Sequence, residues 1–203
     1  TRDASGALTS AYRRDGGTDF DFVNWGATAR LLHRFDTSGH EWSNELRYDS
    51  NGTESSALSV NRFTLPATPD LFELTQFDND QVTLGFTSAY VRPMEDGGRL
   101  RAGYELNQQR PDQEVTLSRG PSEGGLALVP GFSNRFEGRQ TVHALYGTYE
   151  RPLSEKLSAQ AGLRLEQADI KIDDVTGGAS ASQDYFRAYP TAHLQYQLSD
   201  SQT

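Results

Sequence analysis

The side chains with the widest chemical reach in this sequence are four histidines and a few acidic doublets, and their spacing makes no site. A protein metal centre needs three or four ligands brought together, usually from short spacings. His33, His40, His143 and His193 are scattered, and His33 and His40, which flank one turn, lack a third ligand. Asp78-Asn-Asp80 and Asp173-Asp174 are expected at loop–strand junctions, where oxygen clusters can hold calcium, but the spaced ligands and glycine of a calcium loop are missing. Asn51-Gly-Thr53 fits a glycosylation pattern and otherwise reads as a turn. There is no phosphate-cradling glycine loop, dinucleotide fingerprint or nucleophile elbow, and no cysteine to act as nucleophile or ligand. A serine–histidine–aspartate site would need convergence in space that spacing does not reveal. No catalytic, metal or cofactor-binding residue is assigned, and the chain is expected not to be an enzyme.

What is ordered is the placement of charge. Arg30, Arg34, Glu45, Arg47, Arg101, Glu105, Arg164, Glu166 and Arg187 all sit in runs where every second residue is polar and the intervening ones are apolar. In residues 184–198 the alternation is unbroken. Phe186, Ala188, Pro190, Ala192, Leu194, Tyr196 and Leu198 form one set; Arg187, Tyr189, His193 and Gln195 belong to the other. A period of two means an extended strand with one apolar and one polar face. This run is longer than the five or six residues common in soluble proteins. The first set is expected to face lipid and the second a polar lumen. Pro190 lacks an N–H, so a bulge or a lost pairing is expected there.

The same design recurs. Val23 to Phe35 alternates, a turn at 36–39 follows, and the chain returns through Trp42, Leu46 and Tyr48. Val82, Leu84, Phe86 and Tyr90 lead to a turn at 93–98, and Leu100, Ala102, Tyr104 and Leu106 lead back. Residues 139–149 are strand-like, but whether Val142, Ala144 and Tyr146 or His143, Leu145 and Tyr149 point outward is open. After a turn at 151–156, Leu157 to Leu165 alternates cleanly, with a phase change near Ala168 before Ile170 and Ile172. Residues 14–21, 51–79, 108–136 and 176–183 carry no sustained period and read as loops. Tight turns near 37, 95, 153 and 200 would then lie at one end of the strands and long loops at the other. Phe35, Trp42 and Tyr90 fall near the tight turns, Trp25 and Tyr48 near the loops, as interfacial aromatic girdles would.

Composition agrees. The chain has 203 residues, is 35% hydrophobic and carries a formal net charge of −9; its mean hydropathy is −0.68. No run is long enough for a membrane helix. A membrane β-barrel stays open because only alternate residues meet lipid. The acidic balance argues against a nucleic-acid partner. The fold class expected is all-β, an antiparallel up-and-down meander forming part of a transmembrane β-barrel. Both ends read as cut, so residues 1–203 are expected to be a partial barrel domain of about eight strands.

Two segments carry a resemblance. Tyr149-Glu-Arg-Pro-Leu153 with 157–166, ending in Gly162-Leu-Arg-Leu-Glu166, resembles a barrel hairpin of TonB-dependent outer-membrane receptors, and Tyr189-Pro-Thr-Ala-His-Leu194 to Leu198 is similar to the strand that follows it. The resemblance covers about a quarter of the chain. It implies a 22-stranded barrel plugged by an N-terminal domain, with lipid, that plug, an inner-membrane energy-coupling protein and a small-molecule ligand as partners. The solute would be a siderophore, vitamin or saccharide, recognised within 51–79 and 108–136. The plug and the remaining strands would lie outside these residues. A soluble β-rich binding or adhesion module and a small complete outer-membrane barrel remain alternatives.

Overall fold

The computed structural model describes Thr1 and residues 8–198. The turn expected near residue 200 lies outside the described residues. The chain forms one antiparallel meander: β1 (Ala11–Arg34), β2 (Glu41–Leu65), β3 (Leu71–Pro93), β4 (Arg99–Gly120), the short β5 (Ala127–Leu128), β6 (Asn134–Pro152), β7 (Leu157–Asp174) and β8 (Ala179–Tyr196). The sheet order is β1-β2-β3-β4-β6-β7-β8, with β5 pairing only with β4. β1 and β8 do not pair with each other, so the sheet is curled but not closed.

The strands are much longer than the alternating runs. β1 to β4 have 24, 25, 23 and 22 residues. Four expected loops are therefore corrected, and of 176–183 the residues from Ala179 onward already belong to β8. Residues 14–21 lie inside β1 and pair with 54–61 of β2. Most of 51–79 is the upper halves of β2 and β3, and only 66–70 connects them. Most of 108–136 is β4 and the start of β6, with 121–133 between. Asn51-Gly-Thr53 and Asp78-Asn-Asp80 accordingly sit within strands, the latter opposite Glu54, Thr53 and Gly52. Only Asp173-Asp174 is at a junction, where Asp174 accepts a hydrogen bond from the Gly177 N–H at 2.7 Å. The difference between the two ends of the sheet is carried by strand length more than by loop length.

The tight turns stand where expected. In 36–39, Asp36 accepts the Ser38 N–H at 2.8 Å, and Gly39 takes φ +92°. In 94–98, Asp96 accepts the Gly98 N–H at 3.0 Å, and Gly97 takes φ +77°, which suits a residue without Cβ. Backbone N–H donation, then the Tyr149 hydroxyl, hold the Asp96 carboxyl below its ordinary range; Asp36 is lowered likewise, first by the Ser38 hydroxyl.

Pro190 is a further correction. It pairs with Leu163 without any register shift. β8 has one neighbour, and on such an edge a residue without an N–H is tolerated. The missing donor is felt instead at Pro111. The β4–β6 ladder is interrupted between Gln109↔Gln140 and Asp112↔Glu137 and resumes in the same register. The pyrrolidine ring lies against Gly138, where a Cβ would come 2.7 Å from Pro111 Cγ.

Candidate functional site

Register decides which side chains share a face, because residues directly opposite in a ladder point the same way. One row across the sheet reads Arg30, Glu45, Thr87, Glu105, Ala144, Glu166, Arg187. The whole charged set anticipated for the lumen falls on this face. The buried side chains Ser59, Asn61, Glu73, Ala144 and Ala168 lie on it too, which makes it the concave side. The open orientation of 139–149 is settled: Val142, Ala144 and Tyr146 share this inner face, while His143, Leu145 and Tyr149 lie opposite with Leu106, Tyr104 and Leu100.

Several charges on the inner face are paired. Arg30 donates to Glu45 at 2.6 Å. Arg164 spans two strands, donating to Glu105 at 2.7 Å and to Glu166 at 2.6 Å. Arg47 reaches Asp49 at 2.6 Å. A shallow recess of about 210 Å³ over Gly85 is lined by Glu45, Arg47, Thr87, Glu105 and Asn107. Tyr146 lies across Gly103, where a Cβ would come within 2.4 Å of its hydroxyl oxygen. The aromatic ring thereby covers backbone that glycine leaves bare.

A second cluster stands higher on the same face. Glu73 accepts the Asn61 amide at 2.8 Å and the Arg119 guanidinium at 2.7 Å, with Arg14 at 3.4 Å. Burial alone would push its carboxyl up, but the hydrogen bonds from Asn61 and Arg119 and the charges of Arg119 and Arg14 outweigh it and hold it below the usual range. Arg119 also lies 5.6 Å from the Phe132 ring centroid. Phe132 belongs to 121–133, which runs back along β4 through β5 opposite Ser118 and Arg119. This cluster was illegible in the sequence because its residues lie in the halves of β1, β2, β3 and β4 that lack a hydrophobic period.

The convex face carries the apolar set, including every β8 residue expected to meet lipid. Leu194 is 76% exposed and Leu163, Leu145, Phe186 and Trp25 are also exposed, whereas the buried hydrophobic residues among those described are only Ala144 and Ala168. Aromatics cluster at both ends of this belt. Trp25 and Tyr48 pack at 4.9 Å between ring centroids. At the turn end Phe35 stacks on His40 at 4.3 Å, His33 meets Phe35 edge-on at 4.5 Å, and His40 hydrogen-bonds the Tyr90 hydroxyl at 2.8 Å. The two turn histidines thus meet Phe35 and serve an aromatic girdle. His143 bonds Tyr104 at 2.7 Å on the convex face, and His193 faces Gln160.

A large side chain left in water forfeits roughly 1.5–3 kcal/mol of burial. About ten such residues would forfeit on the order of 20 kcal/mol, more than the 5–15 kcal/mol by which domains are usually stable. A single layer with one apolar and one polar, charged face therefore needs lipid outside and water or protein inside, which defines the wall of a membrane β-barrel. Residues 33–203 match the outer membrane protein beta-barrel family, and the chain belongs to it. Its place is the Gram-negative outer membrane, with lipid against the convex face. Among solved structures it is similar to the ferric citrate transporter FecA in its unliganded form, with 13% identity and a TM-score of 0.46 over 88% of this chain and 26% of that one. It is also similar to the ferric yersiniabactin uptake receptor FyuA from Yersinia pestis, with 12% identity and a TM-score of 0.38 over 93% of this chain and 36% of that one. The chain thus spans well under half of either. No curated protein matches.

Proposed function

We propose that this chain is a segment of the barrel of a TonB-dependent outer-membrane receptor and works in the import of a small solute, not in catalysis. The observation that carries the reading is the inner face: charges of both signs, several of them paired across strands, form a surface suited to packing against a polar plug domain. The resemblance of 162–166 and 189–198 to barrel strands of that receptor family supports it, and so does the unpaired outer edge of each of β1 and β8, which asks for further strands in lipid. Strands of 22 to 25 residues also exceed the 9–11 that cross a bilayer. The surplus forms a tall mouth in which 66–70, 121–133 and the Glu73 cluster would meet solute. A siderophore, vitamin or saccharide fits the reading.

The test is uptake by the intact protein in outer membranes lacking their own receptors, using labelled ferric siderophore, cobalamin and oligosaccharide with and without a protonophore. Accumulation that stops when the proton gradient is collapsed is expected. Accumulation indifferent to the protonophore would mean a passive channel and would sink the proposal. So would residues 1–203 alone folding in detergent to a closed, heat-modifiable barrel, since that is a complete small barrel.

A further inference from the structure

On the convex face, one row of the sheet brings three cations to adjacent positions on β4, β6 and β7. Arg139 pairs with Lys171. Arg110, opposite Val82 on its other side, faces Arg139 in the register that brackets the Pro111 gap. All three are exposed. Neighbouring strands are about 4.8 Å apart, so the row spans roughly 10 Å. Lys171 is shared with Asp173 at 2.8 Å; Arg110 and Arg139 have no carboxylate within ion-pair distance among the described residues.

The row has a definite height. The apolar belt begins at Val23 on β1 and at Phe186 on β8, and a straight line between them crosses β4, β6 and β7 near residues 109, 141 and 168. Arg110, Arg139 and Lys171 lie just beyond that line, about 3–8 Å further from the hydrocarbon at roughly 3.3 Å per residue on tilted strands. The polar layer of one leaflet is about 5–8 Å thick. The three cations therefore stand at headgroup level, on the side of the membrane away from the tight turns.

The acids nearest Arg110 and Arg139 lie in the flanking rows, with Asp80 beside Asp112 on the β3 side. Asp112 and Glu137, in the next row outward, are both held by Arg135, at 2.7 and 3.1 Å. Asp169 and Asp184 lie in the next row inward, bordering a recess of about 230 Å³ that Arg139 and Lys171 also line. They repel an anion from the β8 side and confine it to Arg110 and Arg139. Two guanidinium forks with no carboxylate partner, beside an apolar belt, match phosphate groups on a lipid whose chains cover that belt.

We propose that Arg110, Arg139 and Lys171 form a binding site for the phosphorylated headgroup of a lipid in the leaflet on the loop side. The inference rests on the membrane-barrel fold and is independent of what the protein transports. It is tested with the intact protein in dodecyl maltoside, titrated with bisphosphorylated lipid A and followed by native mass spectrometry. The dephosphorylated lipid and inorganic phosphate are the comparison probes. Arg110→Gln with Arg139→Gln should weaken lipid A binding about tenfold or more, as loss of charge-assisted contacts implies. Arg92→Gln, at the turn end of β3, should leave it unchanged. Three results would overturn the site: equal affinity in the double variant, equal affinity for the dephosphorylated lipid, or inorganic phosphate binding as tightly as lipid A. Folding is checked by heat-modifiable gel mobility. If the double variant does not fold, Arg139→Gln alone should show a loss of a few-fold, and no loss there is equally decisive against the site.

Discussion

Glu73 is the centre of a polar cluster in the upper sheet. Two arginines and an asparagine converge on one nearly buried carboxylate, and Ser59 Oγ and Asn61 Oδ1 beside it are buried without partners. Its folded pKa is depressed, so its contribution is fully present above the unfolded value near 4.3 and is lost as pH falls through the folded value. Amide exchange around Asn61, Glu73 and Arg119 should therefore quicken, relative to the intrinsic rate, below about pH 4. Glu73→Gln keeps the shape but removes the charge facing Arg14 and Arg119, and should cost this region about 1–2 kcal/mol at neutral pH. It should also abolish the acid-dependent loss of protection. A variant that retained the wild-type pH dependence would mean another group is responsible. No single-residue signal in the sequence pointed to Glu73, because its partners come from three strands.

At the scale of elements, what could be read depended on where each strand meets lipid. Leu157 to Leu165 alternates because one face is held in hydrocarbon and the other in a polar interior. The apparent phase change near Ala168 is no bulge, since β7 keeps its register with both neighbours. It marks the point where the outward face leaves the belt: Gln167, Asp169 and Lys171 face outward and Ile170 and Ile172 inward. Above that level water can reach both sides, the period of two disappears, and β1 to β4 continue on backbone ladders that composition does not betray. Residues 51–79 and 108–136 looked like loops for this reason. Pro111 added to the impression, although the sheet absorbs it with a local gap and a glycine opposite. Gly138→Val should thus cost about 1–3 kcal/mol, because the new Cβ meets a rigid ring. Gly147→Val, whose Cβ would find its nearest neighbour at 3.8 Å on the lipid-facing side, should be close to neutral. Urea unfolding of the intact protein from liposomes compares the two. Equal costs would show that the Pro111–Gly138 contact carries no strain.

For the whole molecule, the belt and the ladder together fix how the sheet stands in the membrane. The belt runs from Val23 on β1 to Phe35 just past its end, and from Phe186 on β8 to Leu198 just past its end. The row through Val23 reaches β8 at Ser180, six residues short of Phe186. Six residues correspond to about 20 Å along a strand, and the six gaps between β1 and β8 to about 29 Å across the sheet. The strands are therefore inclined by about 35° to the membrane normal, within the range that closed barrels require. This makes an ordering testable with one type of substitution. An arginine facing lipid costs about 2–4 kcal/mol at the midplane and about 0–1 near the interfaces. Ala29 on β1 and Ala192 on β8 sit at the middle of the inclined belt, although their rows differ; Ala188 lies near its outer limit. In liposome-folded intact protein, Ala29→Arg and Ala192→Arg should each be the costly changes and Ala188→Arg the mild one. If the strands stood upright, the belt would follow the rows, and Ala188, whose row lies between the other two, would be nearest the midplane. The order would then reverse, with Ala188→Arg the most destabilising of the three.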